Sequence, residues 1–249
     1  MKLLKLPLIA TGLIFSVSVN AAIVGYVPTT TFGGLDGDSA FNSLFAAGGH
    51  TLQAIDLGVT SEVNSVDGLW LHGGAYSLTV AEQTNLTDFL GSGGNAVYIT
   101  DRSDIGGTYA GSTSSVLAPF GGNGMVTGGD NLIHTTAGSH ELSSGVSTLQ
   151  FNSWSTVDPG LGNPTLLTAN GMVAVYGFGL GELLFLGDTN WQNLAFGSDN
   201  TGGADNVIFA DNVVNWLASS PPAVPVPAAA WLFCSGLLGL IGIARRKKA

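Results

Sequence analysis

The chain is nearly without cysteine: the only one among its 249 residues is Cys234, close to the C-terminus. Everything before it is therefore without a disulfide, a thiolate metal site or a cysteine nucleophile. Cations are almost as scarce. Of seven Lys and Arg, Lys2 and Lys5 open the chain and Arg245, Arg246, Lys247 and Lys248 close it, leaving Arg102 alone between them. All seventeen Asp and Glu lie between Asp36 and Asp211, so residues 22–219 carry a formal charge of −16. A surface of one sign favours solubility and repels polyanions. Nucleic acid is excluded as a partner, because the phosphate contacts that dominate its affinity need clustered cations. Bare anionic lipid is disfavoured for the same reason.

The two ends supply what the middle lacks. Lys2 and Lys5 form a short basic segment, Leu6 to Val19 an apolar run, and Val19-Asn20-Ala21 a small-x-small cleavage site, the layout of a secretory signal peptide over residues 1–21. At the other end, a Pro-rich linker over 220–227 leads into an apolar run from Ala228 to Ala244. At about 1.5 Å per helical residue, that run just matches a hydrocarbon core of roughly 30 Å. The cations of residues 245–249 bias the tail toward the cytoplasm by the positive-inside rule, which puts the body outside.

Val224-Pro225-Val226-Pro227-Ala228-Ala229-Ala230-Trp231-Leu232-Phe233, followed by Gly236-Leu237-Leu238-Gly239-Leu240 and the Arg245-Arg246 cluster, resembles the PEP-CTERM sorting signal. The resemblance implies an envelope protein of a Gram-negative bacterium, with Val224, Pro225, Val226, Pro227, Arg245 and Arg246 as its sorting motif. It implies as partners the secretion machinery, an exosortase that removes the tail, and the inner membrane through the C-terminal helix. Val226 stands where the family's pattern carries Glu between the prolines.

Between the ends, 198 residues suffice for one sizeable core. Short β-rich runs alternate with amphipathic ones, which predicts an α/β fold. Strands are expected at 23–27, 50–57, 68–71, 95–100, 172–176 and 182–186. Helices are expected at 39–47, 79–91, 113–118 and 205–217. Thr79 and Glu82 have the spacing of a capping box, opening a helix that buries Val80, Leu86, Phe89 and Leu90 and ends at Gly91. Gly177 to Gly181 reads as the link of an antiparallel hairpin. The last helix sets Val207, Ile208, Ala210, Val213, Val214 and Leu217 on one face. Residues 106–170 are dominated by Gly, Ser and Thr, and beyond the short helix they read as a loop-rich insert with a few extended segments.

Three stretches carry a second resemblance: Asp67-Gly68-Leu69-Trp70-Leu71-His72-Gly73-Gly74, Leu86 to Gly94, and the closing pair Leu183 to Asp188 and Asn212 to Leu217. Their order resembles the class I glutamine-amidotransferase-like fold. That implies a three-layer α/β/α domain with a flavodoxin-like, mostly parallel sheet. The family's nucleophile is a Cys on the turn after the strand that here reads Asn95 to Thr100. This chain has Asp101-Arg102-Ser103 there, so amidotransferase chemistry is not available to it.

The candidate ligand-binding residues are His72, Asp101, Ser103 and Asp188, at strand ends that would meet at the carboxyl edge of a parallel sheet. No catalytic set, metal centre or cofactor is assigned. Ser103 lacks the Gly-x-Ser-x-Gly elbow, and a loop serine is its plainer reading. His134 and His140 are spaced too widely for the usual zinc pair. Asp36-Gly37-Asp38 and the run from Asp199 to Asn206 have calcium-like composition without the twelve-residue loop, and turn and cap chemistry explains them as well. Trp70 and Trp216 fall in strand and helix patterns and read as core. Trp154 and Trp191 fall in loops and are the candidates for gripping a sugar face. Two readings follow: an exported, exosortase-sorted envelope or extracellular-matrix protein without catalysis, associated with exopolysaccharide, or a secreted hydrolase of glycan or ester with its site near His72 and Asp101.

Overall fold

The computed structural model describes residues 21–28, 39–73, 77–101, 108–160, 162–189, 191 and 205–219. The signal segment before residue 21 lies outside them. So do the linker, the apolar tail with its terminal cations, and the sorting residues Val224, Pro225, Val226, Pro227, Arg245 and Arg246. Among the described residues no helix is long and apolar enough to cross a membrane.

The first half alternates strand and helix: β1 (Ile23–Tyr26), α1 (Ser39–Ala47), β2 (Thr51–Ala54), α2 (Thr60–Val63), β3 (Gly68–His72), α3 (Val80–Gly91), β4 (Asn95–Ile99) and α4 (Thr108–Leu117). These four strands are parallel, β1 pairing with β2 and β3, and β3 with β4. Parallel neighbours require crossovers, and helices supply them. All ten residues of β3 and β4 are buried, as strands covered on both faces must be.

The capping box forms at the start of α3. The Thr79 hydroxyl accepts the Glu82 amide at 3.3 Å and the Glu82 carboxylate accepts the Thr79 amide at 2.7 Å. Leu86, Phe89 and Leu90 are buried as expected, but Val80 is 81% exposed. It is the first helical residue, and its side chain tilts back past the N-terminus, away from the sheet.

The insert is more regular than its composition implies. After α4 and a 3₁₀ turn at Ala118–Phe120, β5 (Gly124–Thr135) and β6 (Thr148–Asp158) form a long antiparallel ribbon, irregular in register between Thr127 and Asp130. Three strands then complete the main sheet: β7 (Thr165–Leu166), β8 (Val173–Phe178) and β9 (Gly181–Leu186). β9 lies parallel to β4, whereas β8 runs antiparallel to β9 and β7 antiparallel to β8. The β8–β9 link is two residues, shorter than the five expected. Gly179 at φ +63° takes its first central position, as a type II′ hairpin turn requires. Among the described residues the sheet has seven strands in the order β2-β1-β3-β4-β9-β8-β7. Its parallel part has the 2-1-3-4 order of flavodoxin-like sheets.

One core lies on each side of this sheet. On one side Val24, Trp70, Val97 and Leu184 meet Phe45 of α1, Leu149 and Phe151 of the ribbon, and the last helix, α5 (Asn206–Ala218). On the other, Leu69, Leu71, Tyr98 and Phe185 meet Val63, Leu86, Leu90 and Val116 of α2 to α4. Trp70, Phe89, Phe185 and Trp216 are all buried, as expected of core residues. The buried face of α5 is rotated from the expected one. Phe209 and Trp216 join Ala210, Val213, Val214 and Leu217, while Val207 and Ile208 are 43% and 42% exposed. The rotation follows from the helix start. Asp205 accepts the amides of Ser147 and Thr148, and Asn206 exchanges hydrogen bonds with the backbone of Gln150, both at 2.8 Å.

The ribbon also docks on the end of β9, where the Ser155 amide donates to the Gly187 carbonyl at 2.7 Å. The chains approach so closely that a Cβ at Gly187 would overlap the Ser155 carbonyl oxygen, whereas a Cβ at Gly177 would meet nothing. Gly187→Ala is expected to destabilise the protein by about 3 kcal/mol, with Gly177→Ala near neutral. Urea unfolding of both variants checks this, and equal midpoints would contradict the docking.

Candidate functional site

The register of the three central strands sets one row of residues at the carboxyl edge. His72 is opposite Ile99, and Ile99 is opposite Leu186. Side chains alternate between faces along a strand. Trp70 and His72, Val97 and Ile99, and Leu184 and Leu186 therefore share the face toward α1 and α5, in agreement with the core on that side. Asp101 and Asp188 follow two residues beyond the ends of β4 and β9. Three of the four expected ligand-binding residues thus lie at the carboxyl ends of three adjacent strands; the fourth, Ser103, lies outside the described residues.

His72 is 8% exposed, and neither ring nitrogen has a hydrogen-bond partner although both are buried. Burial alone pushes its pKa down to about 4, so the ring is neutral at neutral pH. Asp188 is fully buried and accepts the Asn152 amide of the ribbon at 2.7 Å. Asp101, 5% exposed, accepts the Thr189 hydroxyl at 2.5 Å, while its carbonyl accepts the Ser155 hydroxyl at 3.1 Å. Both acids are thereby held by side chains or amides from elements that close over the edge. Burial pushes the Tyr109 phenol up, and the nearby Asp101 charge adds to the effect. Thr189, Asn152, Ser155 and Tyr109 were not expected at this edge. Only Thr189 carried a local signal, as the residue following Gly187-Asp188 at the end of an apolar strand.

The opposite face of the same edge is closed by hydroxyls. The Tyr98 hydroxyl lies 3.0 Å from Ser112 Oγ and 3.1 Å from Thr113 Oγ1, which in turn is 3.1 Å from Thr100 Oγ1. All four residues are buried, and burial pushes the Tyr98 phenol up. This network ties β4 to α4 and presents no free charge.

The remaining candidates are engaged elsewhere. His134 accepts from Asn170 at 3.3 Å and packs edge-on against Trp154, ring centroids 5.4 Å apart. His140 Nδ1 accepts the Leu142 amide, which leaves its Nε2–H to donate to Glu182 at 3.2 Å. The two histidines thus serve separate structural contacts. Trp191, a candidate for sugar contact, is fully buried against Phe209, with centroids 5.5 Å apart, and cannot offer an open face. Trp154 is half-buried. Asp205 is a clasp on the ribbon, while Asp36, Asp38 and Asp199 lie outside the described residues. A cleft of about 490 Å³ lies at the amino edge, lined by Asn95, Glu141, Glu182, Trp216 and the β8–β9 turn. It had no counterpart in the sequence reading.

No protein-family model and no curated protein matches the chain at a significant level. Among solved structures, the N-terminal domain of mmIFT52 is similar, with a TM-score of 0.57 at 16% identity, over 80% of this chain and 98% of that one. Two cytoplasmic proteins of Salmonella typhimurium are similar to the same degree. STM1381 has a TM-score of 0.55 at 12% identity, covering 77% of this chain and 97% of its own. STM3548 has 0.54 at 12%, covering 79% and 97%. At these identities the likeness is one of fold alone.

The buried imidazole gives a pH signature. The unfolded state takes up a proton on His72 near pH 6.5 and the folded state only near pH 4, so stability falls as pH drops through that window. The loss attributable to His72 is about 3 kcal/mol at the lower end. Urea unfolding at pH 7 and pH 4.5 checks it. The wild type is expected to lose clearly more stability between the two than His72→Gln, and equal losses would contradict a neutral buried ring.

Proposed function

We propose that this chain is an exported, exosortase-sorted envelope or extracellular-matrix protein whose acidic domain binds exopolysaccharide without catalysis. The domain is read as amidotransferase-like in fold and emptied of that family's chemistry. What supports the sorting half is the three-part tail: paired prolines, a 17-residue apolar run rich in small residues, and a terminal cation cluster. A plain anchor needs neither the prolines nor that order.

The observation that carries the non-catalytic half is the state of His72. A general base acts on a nucleophile within hydrogen-bond reach and is itself oriented by a third group. His72 has neither partner among the described residues. Asp101 and Asp188, at the ends of the two strands that follow in the sheet, hold Thr189 and Asn152. With no thiol from Ala22 to Ser219, thiolate acyl transfer is absent as well. A body of strongly negative charge suits neutral polyols better than anions.

Fractionation of cells producing the full chain with a C-terminal probe tests the sorting reading. The body is expected outside the inner membrane, and deletion of Arg245 to Lys248 is expected to impair processing. A body retained in the cytoplasm would overturn it. Incubation of the purified protein with glutamine, ester substrates and a polysaccharide panel tests the rest, with binding to neutral polysaccharide and no turnover expected. Turnover that vanishes on His72→Ala or Ser103→Ala would replace the binding reading with the hydrolase.

A further inference from the structure

The cleft of about 490 Å³ at the amino edge owes its opening to the register of the β8–β9 hairpin. Gly177 on β8 lies directly opposite Glu182 on β9, so the two positions share one face of the sheet. A side chain at 177 would stand beside the Glu182 carboxylate. Glycine leaves that place empty, since a Cβ there would meet nothing within 4 Å. Glu182 itself is fixed before anything enters: one carboxylate oxygen accepts the His140 Nε2–H at 3.2 Å and the Trp216 indole N–H at 3.4 Å. The other oxygen has no partner among the described residues, and the side chain is 37% exposed. Glu141, exposed, lines the same cleft, and a second hollow of about 210 Å³ shares Glu141, Trp216 and Ser219 with it.

We propose that this cleft is a subsite for a neutral sugar unit, with Glu182 accepting its hydroxyls and the bare position at Gly177 making room for its ring. The assignment rests on the polysaccharide reading and names the place and the groups that hold the sugar. Asn95, Asn212, Asn215, Trp216 and Ser219 line the cleft or the hollow, and each already donates to a protein acceptor. The groups with capacity to spare are the two carboxylates, which can only accept. A ligand must therefore arrive as a donor. An anion would bring further acceptors to a cleft that no Lys or Arg lines. A divalent cation needs several ligands at once, and among the described residues no three acidic, imidazole or thiol side chains could hold a metal ion. A sugar brings many hydroxyl donors, and the cleft has the volume of a small-molecule site.

The test is calorimetric titration of the full chain in detergent with cellotetraose, maltotetraose and trigalacturonate. One or both neutral tetrasaccharides are expected to bind, and trigalacturonate at least about tenfold more weakly. Gly177→Phe, which sets a ring in the gap beside Glu182, is expected to weaken neutral binding about tenfold or more. Glu182→Gln, which keeps the shape and removes the charge that strengthens the hydrogen bonds, is expected to weaken it about fivefold. If Gly177→Phe fails to fold, the wild type is followed by NMR instead: the backbone amide resonances of residues 177–182 are expected to move on addition of the bound tetrasaccharide. Neutral binding that is indifferent to Gly177→Phe, or amide resonances that do not move, would overturn the assignment and leave the polysaccharide reading standing. Absence of binding to all three saccharides would overturn both.

Discussion

The pairing of β4 between β3 and β9 is the constraint on which the rest depends. β4 is five residues long, buried throughout, and hydrogen-bonded in parallel on both sides. Side chains alternate with a period of two, so a slip of one residue would turn Val97 and Ile99 to the face that now holds Ala96 and Tyr98. It would also shift Asp101, two residues beyond the strand, from the place where it accepts the Thr189 hydroxyl. The two cores hold the register in place, one requiring Val97 against Trp70 and Leu184, the other Tyr98 against Phe185, with ring centroids 6.4 Å apart. The composition of the carboxyl edge is thus a consequence of core packing several residues below it.

The second constraint is how a ribbon rich in Gly, Ser and Thr is held to the domain. It has few large apolar residues, and side-chain-to-backbone bonds make up the difference. Asp188 takes the Asn152 amide, Asp205 those of Ser147 and Thr148, Asn206 brackets Gln150, and Asn212 donates to the carbonyls of Leu142 and Ser144. Asp67 does the same for the first strand, accepting the Ile23 amide at 2.8 Å. Hydrogen bonds to a charged acceptor are stronger than neutral ones. In a body with a single Arg, carboxylates have few cations to pair with, and backbone amides take that place. Part of the −16 charge is therefore structural in use rather than a surface for partners.

What was legible in the sequence follows the same division. Strands β3, β4 and β9 are short apolar runs between turn residues, and the capping box at Thr79 and Glu82 is a local pattern with a local cause. These elements could be read, and with them the positions of His72, Asp101 and Asp188. The ribbon could not, because β5 and β6 have little apolar alternation and owe their form to pairing with each other and to acids as distant as Asp188 and Asp205. The face of α5 was misjudged for a related reason: its rotation is set by Asp205 and Asn206 reaching to Ser147 and Gln150, some 56 to 58 residues away. Trp191 lies among polar residues in sequence, and its burial comes from the distant core, Phe209 included, that the fold brings to it. Side chains that hold distant backbone leave no periodic trace.

The central claim is that the carboxyl edge carries a buried, neutral and unpartnered imidazole. A pH titration of the His72 ring by ¹⁵N NMR in the ligand-free protein tests it most directly. The account predicts a ring that stays neutral down to about pH 4, with no hydrogen bond fixing either nitrogen. A ring that titrates near pH 6.5 or above, or that is locked in one tautomer by a protein partner, would contradict it.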